Sequence, residues 1–115
     1  MMPKPVTLQR LQAYIKKKDH RPDVPLVYLQ KLIEEVGELA RMMRDPVRFK
    51  ETGSIKGTID EELYDVLYYV AALANLYDVD LETAMRLKEP YGAAKYGQMD
   101  VLEAFLQEDD VICEA

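Results

Sequence analysis

The chain has a single cysteine, Cys113, in the acidic end "EDDVICEA". That excludes an internal disulfide framework and a cysteine-based zinc cluster. A reactive thiol needs an electropositive setting, which these neighbours do not supply, so Cys113 reads as incidental. Histidine is equally scarce: His20, beside Arg21 in a charged turn, is alone, and with no second ligand in view it reads as incidental too. No apolar run approaches the roughly 18 to 20 residues needed to span a bilayer. The start "MMPKPVTLQRLQ" also lacks a signal peptide's apolar stretch, and the expectation is a soluble, cytoplasmic protein. Positive charge is in deficit, with a formal net charge of -6. This argues against a nucleic-acid polymer as partner, because neutralisation of phosphates by Lys and Arg supplies most of such affinity. There is no internal repeat, no low-complexity stretch and no alternation of period two long enough for a sheet.

What remains is a chain of 115 residues, 49% hydrophobic and 31% charged. That is the size of one domain with one core, residues 1–115, with the ends 1–5 and 109–115 expected to be disordered. The period is helical throughout. Leu8, Leu11, Tyr14 and Ile15 mark a first helix that runs out at "KKKDHRPD". A second begins near Pro25, a residue tolerated in a first helical turn, and stops before Pro46. Its stripe of Leu29, Leu32, Ile33, Val36, Leu39, Ala40 and Met43 predicts a core face. "DPVRFKETGSIKG" reads as a loop, and its cations Arg48, Lys50 and Lys56 as solvated. "TIDE" then places Thr58 and Glu61 at capping-box spacing, which accounts for Glu61 structurally. The helix it opens, "ELYDVLYYVAALANLY", is followed by "LETAMRLKEPYGAAKYG", capped by Asp80 and expected to become irregular at Pro90, Gly92 and Gly97. A short last helix fits "MDVLEAFLQ". The expected architecture is all-α, a bundle of four or five helices.

The third helix carries the argument toward chemistry. At about 100° per residue, Leu63, Val66, Leu67, Val70, Leu73, Ala74 and Tyr77 gather on one face, predicted to be the core. The opposite side carries Tyr68, Tyr69, Ala72 and Leu76, so the helix is apolar nearly all round and is expected to be buried by the bundle or by a partner subunit. Its tyrosines, with Tyr64 and Tyr77, read as packing residues. Asp65 lies on the second apolar stripe, with Glu62 on its edge one turn earlier. A carboxylate taken out of water costs several kcal/mol unless it finds a cation, a donor or a proton. In the second helix "LIEEVGELA" puts Glu35 and Glu38 three residues apart on one side. Two such pairs facing each other across a helix pair would repel strongly, but around one or two divalent cations they form a site. All-oxygen donors select Mg²⁺, or alternatively Mn²⁺, with positions left for water and phosphate. A di-iron bundle site wants E-x-x-H motifs, and His20 lies outside both pairs. "DVDLE" from Asp78 fails as a calcium loop, because its sixth position is Thr83 rather than glycine.

"EEVGE" at 34–38 followed by "ELYD" at 62–65 resembles the E-E-x-x-E and E-x-x-D signature of the MazG-like all-α nucleoside triphosphate pyrophosphohydrolases. That superfamily includes dimeric dUTPases, dCTP pyrophosphatases and phosphoribosyl-ATP pyrophosphohydrolases. The likeness covers roughly residues 8–96. It implies that Glu35, Glu38, Glu62 and Asp65 bind metal, that Glu34 orients or activates water, and that Lys88 meets the phosphates. Lys95 and Tyr96 fit the end of the pattern as substrate contacts, and Lys31 is placed with them. The implied activity is Mg²⁺-dependent cleavage between the α- and β-phosphates of a nucleotide, giving a monophosphate and pyrophosphate. The implied assembly is a homodimer or a dimer of dimers that would bury Tyr68, Tyr69, Ala72 and Leu76. One position departs from the pattern: Gly92 stands where relatives carry an asparagine four residues after the lysine. That leaves two alternatives, a phosphoribosyl-ATP hydrolase and a catalytically silent helical binding or assembly protein.

Overall fold

The computed structural model describes residues 3–95 and 102–108, which form two compact units, one up to Val79 and one from Asp80 onward. The first contains α1 (Leu8–Lys18), α2 (Pro25–Met42), α3 (Phe49–Thr52) and α4 (Ile59–Leu76). The second contains α5 (Leu81–Lys95) and α6 (Leu102–Leu106). Every regular element among the described residues is a helix. Residues 3–5 are exposed and without regular structure, whereas 1–2 and 109–115 lie outside the described residues, as does Gly97.

Local chemistry sets the boundaries. Thr7 caps α1 by accepting from the Arg10 N–H at 3.1 Å, and Pro25 sits in the first turn of α2, where its missing N–H costs nothing. The expected loop 45–57 also contains the single turn α3. It is closed by Gly53, whose φ of 71° is the left-handed conformation that ends a helix. Thr58 opens α4: its hydroxyl accepts from the Glu61 N–H at 3.2 Å and donates to the Ile55 carbonyl at 2.7 Å. The Glu61 carboxylate reaches back one residue further than a standard capping box, accepting from the Gly57 N–H at 2.9 Å.

In the first unit both α1 and α2 pack against α4. Alanines at 71, 72 and 74 are buried on α4, and their small side chains let the neighbouring helices approach closely. Ile15 of α1 and Tyr28 of α2 are buried as well. Two polar anchors fix the register. Gln12 on α1 donates through Nε2 to Asn75 Oδ1 at 3.1 Å and to the Val79 carbonyl at 2.8 Å, while Asn75 donates to the Gln12 carbonyl at 2.9 Å. At the other end of α1, the Asp19 carboxylate accepts from Tyr28 of α2 at 2.7 Å and from Tyr68 of α4 at 2.9 Å. One side chain thus ties three helices together. Its negative charge and burial push the Tyr28 and Tyr68 phenols above their ordinary range, burial being the larger cause, so both remain neutral donors.

The faces turn out differently from the hydropathy reading. Of the face predicted as core on α4, Leu63, Leu67, Val70 and Tyr77 are exposed, at 54%, 39%, 36% and 67%, while Val66 and Leu73 are half-buried and Ala74 is buried; Ala72 and Tyr68 on the other stripe pack inside. On α2, Leu29, Ile33, Val36 and Met43 are likewise exposed, and Tyr28, Leu32, Glu35 and Leu39 turn inward. The reason is that both helices are apolar on more than one stripe. Hydropathy then has no preference, and the choice falls to small residues and polar anchors.

The second unit starts from Asp80, whose Oδ1 accepts from the N–H of Glu82 at 3.0 Å and of Thr83 at 3.4 Å. α5 continues through Pro90 and Gly92 to Lys95 where irregularity was expected. Pro90 removes one N–H from the ladder without ending it. Arg86 of α5 pairs with Glu82 at 3.6 Å and with Glu103 of α6 at 3.0 Å.

Candidate functional site

Glu35 on α2 shares its inward face with Tyr28 and Leu32, and Glu62 and Asp65 lie three residues apart on α4. Packing α2 against α4 therefore brings the three half-buried carboxylates together, with one oxygen from each within 4.8 Å of the others. Among the described residues none of the three is in an ion pair. The electrostatic consequence is repulsion. Burial raises the Glu35 carboxyl above its ordinary range, and the charges of Asp65 and Glu62 raise it further. Glu62 is raised by burial and then by Asp65 and Glu61. Asp65 is raised by burial and by Glu61, against an opposing pull from a hydrogen bond with Glu35 and from Lys56. Glu35 and Asp65 thus titrate as a coupled pair, both raised above the ordinary carboxylate range.

Glu38 stands outside the group of three; its Oε1 accepts from Arg41 Nη2 at 2.8 Å. Glu34 is exposed and faces Lys31 Nζ at 3.8 Å, one turn earlier on α2. Glu61 serves the cap and pairs with Lys56 at 3.4 Å. Lys88 belongs to the second unit, with its Nζ 5.1 Å from the centre of the Tyr91 ring. Lys95 is the last residue of α5, and Tyr96 lies outside the described residues. Tyr69, one turn beyond Asp65 on α4, is a residue that packing logic set aside. Burial and the charges of Asp19, Glu35, Asp65 and Glu34 raise its phenol, keeping it a neutral donor beside the carboxylates. Its i+4 spacing from Asp65 was the available signal.

Residues 24–89 match the model of the MazG nucleotide pyrophosphohydrolase domain. The chain belongs to this family. Two solved structures agree: crystal structures of iMazG from Vibrio DAT 722 in N-tagged and C-tagged forms. They share 44% and 45% of residues with this chain at TM-scores of 0.68 and 0.66, covering 81% and 76% of it and 100% and 98% of themselves. YpjD of Bacillus subtilis strain 168, an uncharacterised protein, is 39% identical over 62 residues, which span 52% of this chain and 56% of that protein. The MazG match contains Glu34, Glu35, Glu38, Glu61, Glu62 and Asp65 and stops one residue after Lys88. The match places a domain of the MazG nucleotide pyrophosphohydrolase family over residues 24–89, and no helix among the described residues is long and apolar enough to cross a membrane.

The carboxylates of the MazG site suit a hard divalent cation. They offer only oxygen donors, converge from two helices, and suffer a repulsion that such a charge would relieve. A stability prediction follows from the sign of the shifts. Carboxyl groups raised in the folded state bind more protons folded than unfolded, so their contribution to stability is complete below the ordinary carboxylate range, about pH 4, and is lost as pH rises through the raised values. Urea titrations without divalent cations should show stability falling from mildly acidic to neutral pH, with a shallower fall in Glu35→Gln. Equal slopes in the two proteins would remove Glu35 as a source of that dependence.

Proposed function

We propose that this chain is an Mg²⁺- or Mn²⁺-dependent enzyme that hydrolyses the α–β phosphate bond of a (deoxy)nucleoside triphosphate to a monophosphate and pyrophosphate. The observation that carries the reading is the convergence of Glu35, Glu62 and Asp65 from two helices within 4.8 Å. Glu35, Glu62, Asp65 and, after reorientation, Glu38 would hold the cation, which supplies charge neutralisation for the phosphates. The protein's own groups do the rest. Glu34, exposed beside Glu35, orients a water and takes its proton as the water oxygen bonds to the α-phosphorus. The bond to the bridging oxygen breaks, and the electron pair leaves with pyrophosphate. Lys88, Lys95, Tyr96 and Lys31 are the proposed substrate contacts, and Tyr69 is a neutral donor at the rim.

Leu67, exposed like Leu63 and Val70 on α4, lines a largely apolar groove of about 730 Å³ with Val6, Leu8, Leu11, Tyr14 and Tyr64. This supports assembly as a homodimer or a dimer of dimers through that face, not through the Tyr68 and Ala72 stripe, which is already packed within the chain. Sedimentation at micromolar concentration should show no free monomer, and a monomer would contradict the assembly. We further propose that the chain works as one domain in the cytoplasm.

Product analysis tests the reaction. With Mg²⁺, one of the common NTPs, dNTPs or phosphoribosyl-ATP should yield a monophosphate product and pyrophosphate in equal amounts. Turnover of phosphoribosyl-ATP alone would select the pathway hydrolase. Absence of turnover by a folded, metal-binding protein would select the silent binder, the reading that Gly92 favours.

A further inference from the structure

Glu38 belongs to the acidic motif yet lies outside the group of three carboxylates, although its charge still reaches Glu35 and Glu62 and raises both. Its Oε1 accepts a 2.8 Å hydrogen bond from Arg41 Nη2, three residues along α2, and no other ion pair engages Glu38 among the described residues. The charge of Arg41 also reaches α4, where it favours the ionised form of Glu62, while Glu38 itself opposes it. Arg41 is thus coupled to one carboxylate on each helix. A charge-assisted bond of this geometry biases the Glu38 side chain toward Arg41, and an arginine cannot give up its charge to release it.

We infer that Arg41 is a positioning residue that competes with a divalent cation for Glu38. Without the cation, the guanidinium keeps Glu38 off the other carboxylates, so that three negative charges converge rather than four. When a cation enters, Glu38 exchanges Arg41 for the metal. Binding is therefore weakened by the pair that must be broken. The pair is half-exposed, with 45% of the Glu38 side chain accessible. An exposed pair of this kind holds its partners only modestly, so the competition corresponds to about a two- to five-fold loss of metal affinity. This rests on the metal-site reading proposed above.

The test is a double-mutant cycle read by calorimetric binding of Mn²⁺ to the full chain without nucleotide, using wild type, Arg41→Gln, Glu38→Gln and the double variant. Arg41→Gln should bind Mn²⁺ about two- to five-fold more tightly than wild type. In the Glu38→Gln background the same change should have little effect, because the partner through which Arg41 acts is gone. Equal tightening in both backgrounds would reduce Arg41 to a diffuse positive charge and overturn the inference. Unchanged or weaker binding by Arg41→Gln would overturn it as well. In either of those outcomes wild type still binds Mn²⁺, so the metal-site reading stands. Failure of wild type to bind Mn²⁺ would overturn both. Circular dichroism of the four proteins separates misfolding from altered binding, and Arg41→Lys should restore part of the wild-type weakness.

Discussion

Asp65→Asn is expected to abolish pyrophosphate release, lowering kcat by about 100-fold or more, the scale on which removal of one charge-stabilising group at a reacting centre is felt. The substitution keeps the size of the side chain and one oxygen but removes a negative charge from the three that converge on the α2–α4 interface. It does not threaten the fold. Burial and Glu61 already disfavour the ionised form of Asp65, so a neutral side chain there relieves unfavourable charge in the metal-free protein. The expected signature is an inactive variant that unfolds no earlier than wild type when metal is absent. Glu62→Gln should behave alike, since burial and Asp65 raise its carboxyl as well. Turnover by Asp65→Asn within two-fold of wild type would remove these carboxylates from the reaction.

Divalent cation should have the second largest effect. A ligand that binds the folded chain alone stabilises it by about 2.7 kcal/mol at a hundred times its Kd. For a chain of 115 residues that corresponds to a rise in Tm on the order of 10 °C. The gain should be specific to the carboxylate group. Glu35→Gln should lose most of the Mn²⁺-dependent rise, and Glu108→Gln, an exposed change in the second unit, should keep it. Chelation of the metal should return wild type to its starting Tm. If saturating Mg²⁺ and Mn²⁺ leave wild type unmoved, the three carboxylates are a repulsive surface and not a metal site.

The elements of this fold were legible because their ends are written in local chemistry. Thr58 and Asp80 announce their helices in three residues each, and the structure draws the hydrogen bonds those spacings imply. The sides of the helices were not legible in the same way. A stripe of Leu63, Leu67 and Val70 is indistinguishable by hydropathy from one of Tyr68, Ala72 and Leu76. What separates them is tertiary: Ala71 and Ala72 permit close approach, and Tyr68 has a hydroxyl that finds Asp19 some 49 positions away in sequence. The acidic motifs were visible as spacing, and three of the four paired carboxylates converge. The turning of Glu38 toward Arg41 was not visible as geometry, because an i,i+3 pair on a helix competes with any tertiary partner and sequence does not say which wins. Lys88 was placed by motif alone, and its neighbourhood within α5 is the Tyr91 ring.

The three carboxylates are divided between two helices, and this makes them a caliper. Glu35 is one jaw, and Glu62 with Asp65 is the other, so their opening measures the gap between α2 and α4. The screw that sets the gap is elsewhere. Asp19, at the end of α1, grips Tyr28 on one jaw and Tyr68 on the other. Cation coordination tolerates errors of only a few tenths of an ångström, whereas folding tolerates more. Wear at Asp19 would therefore be felt as a change in calibration, in which cation is preferred and how tightly, before it was felt as a loss of shape.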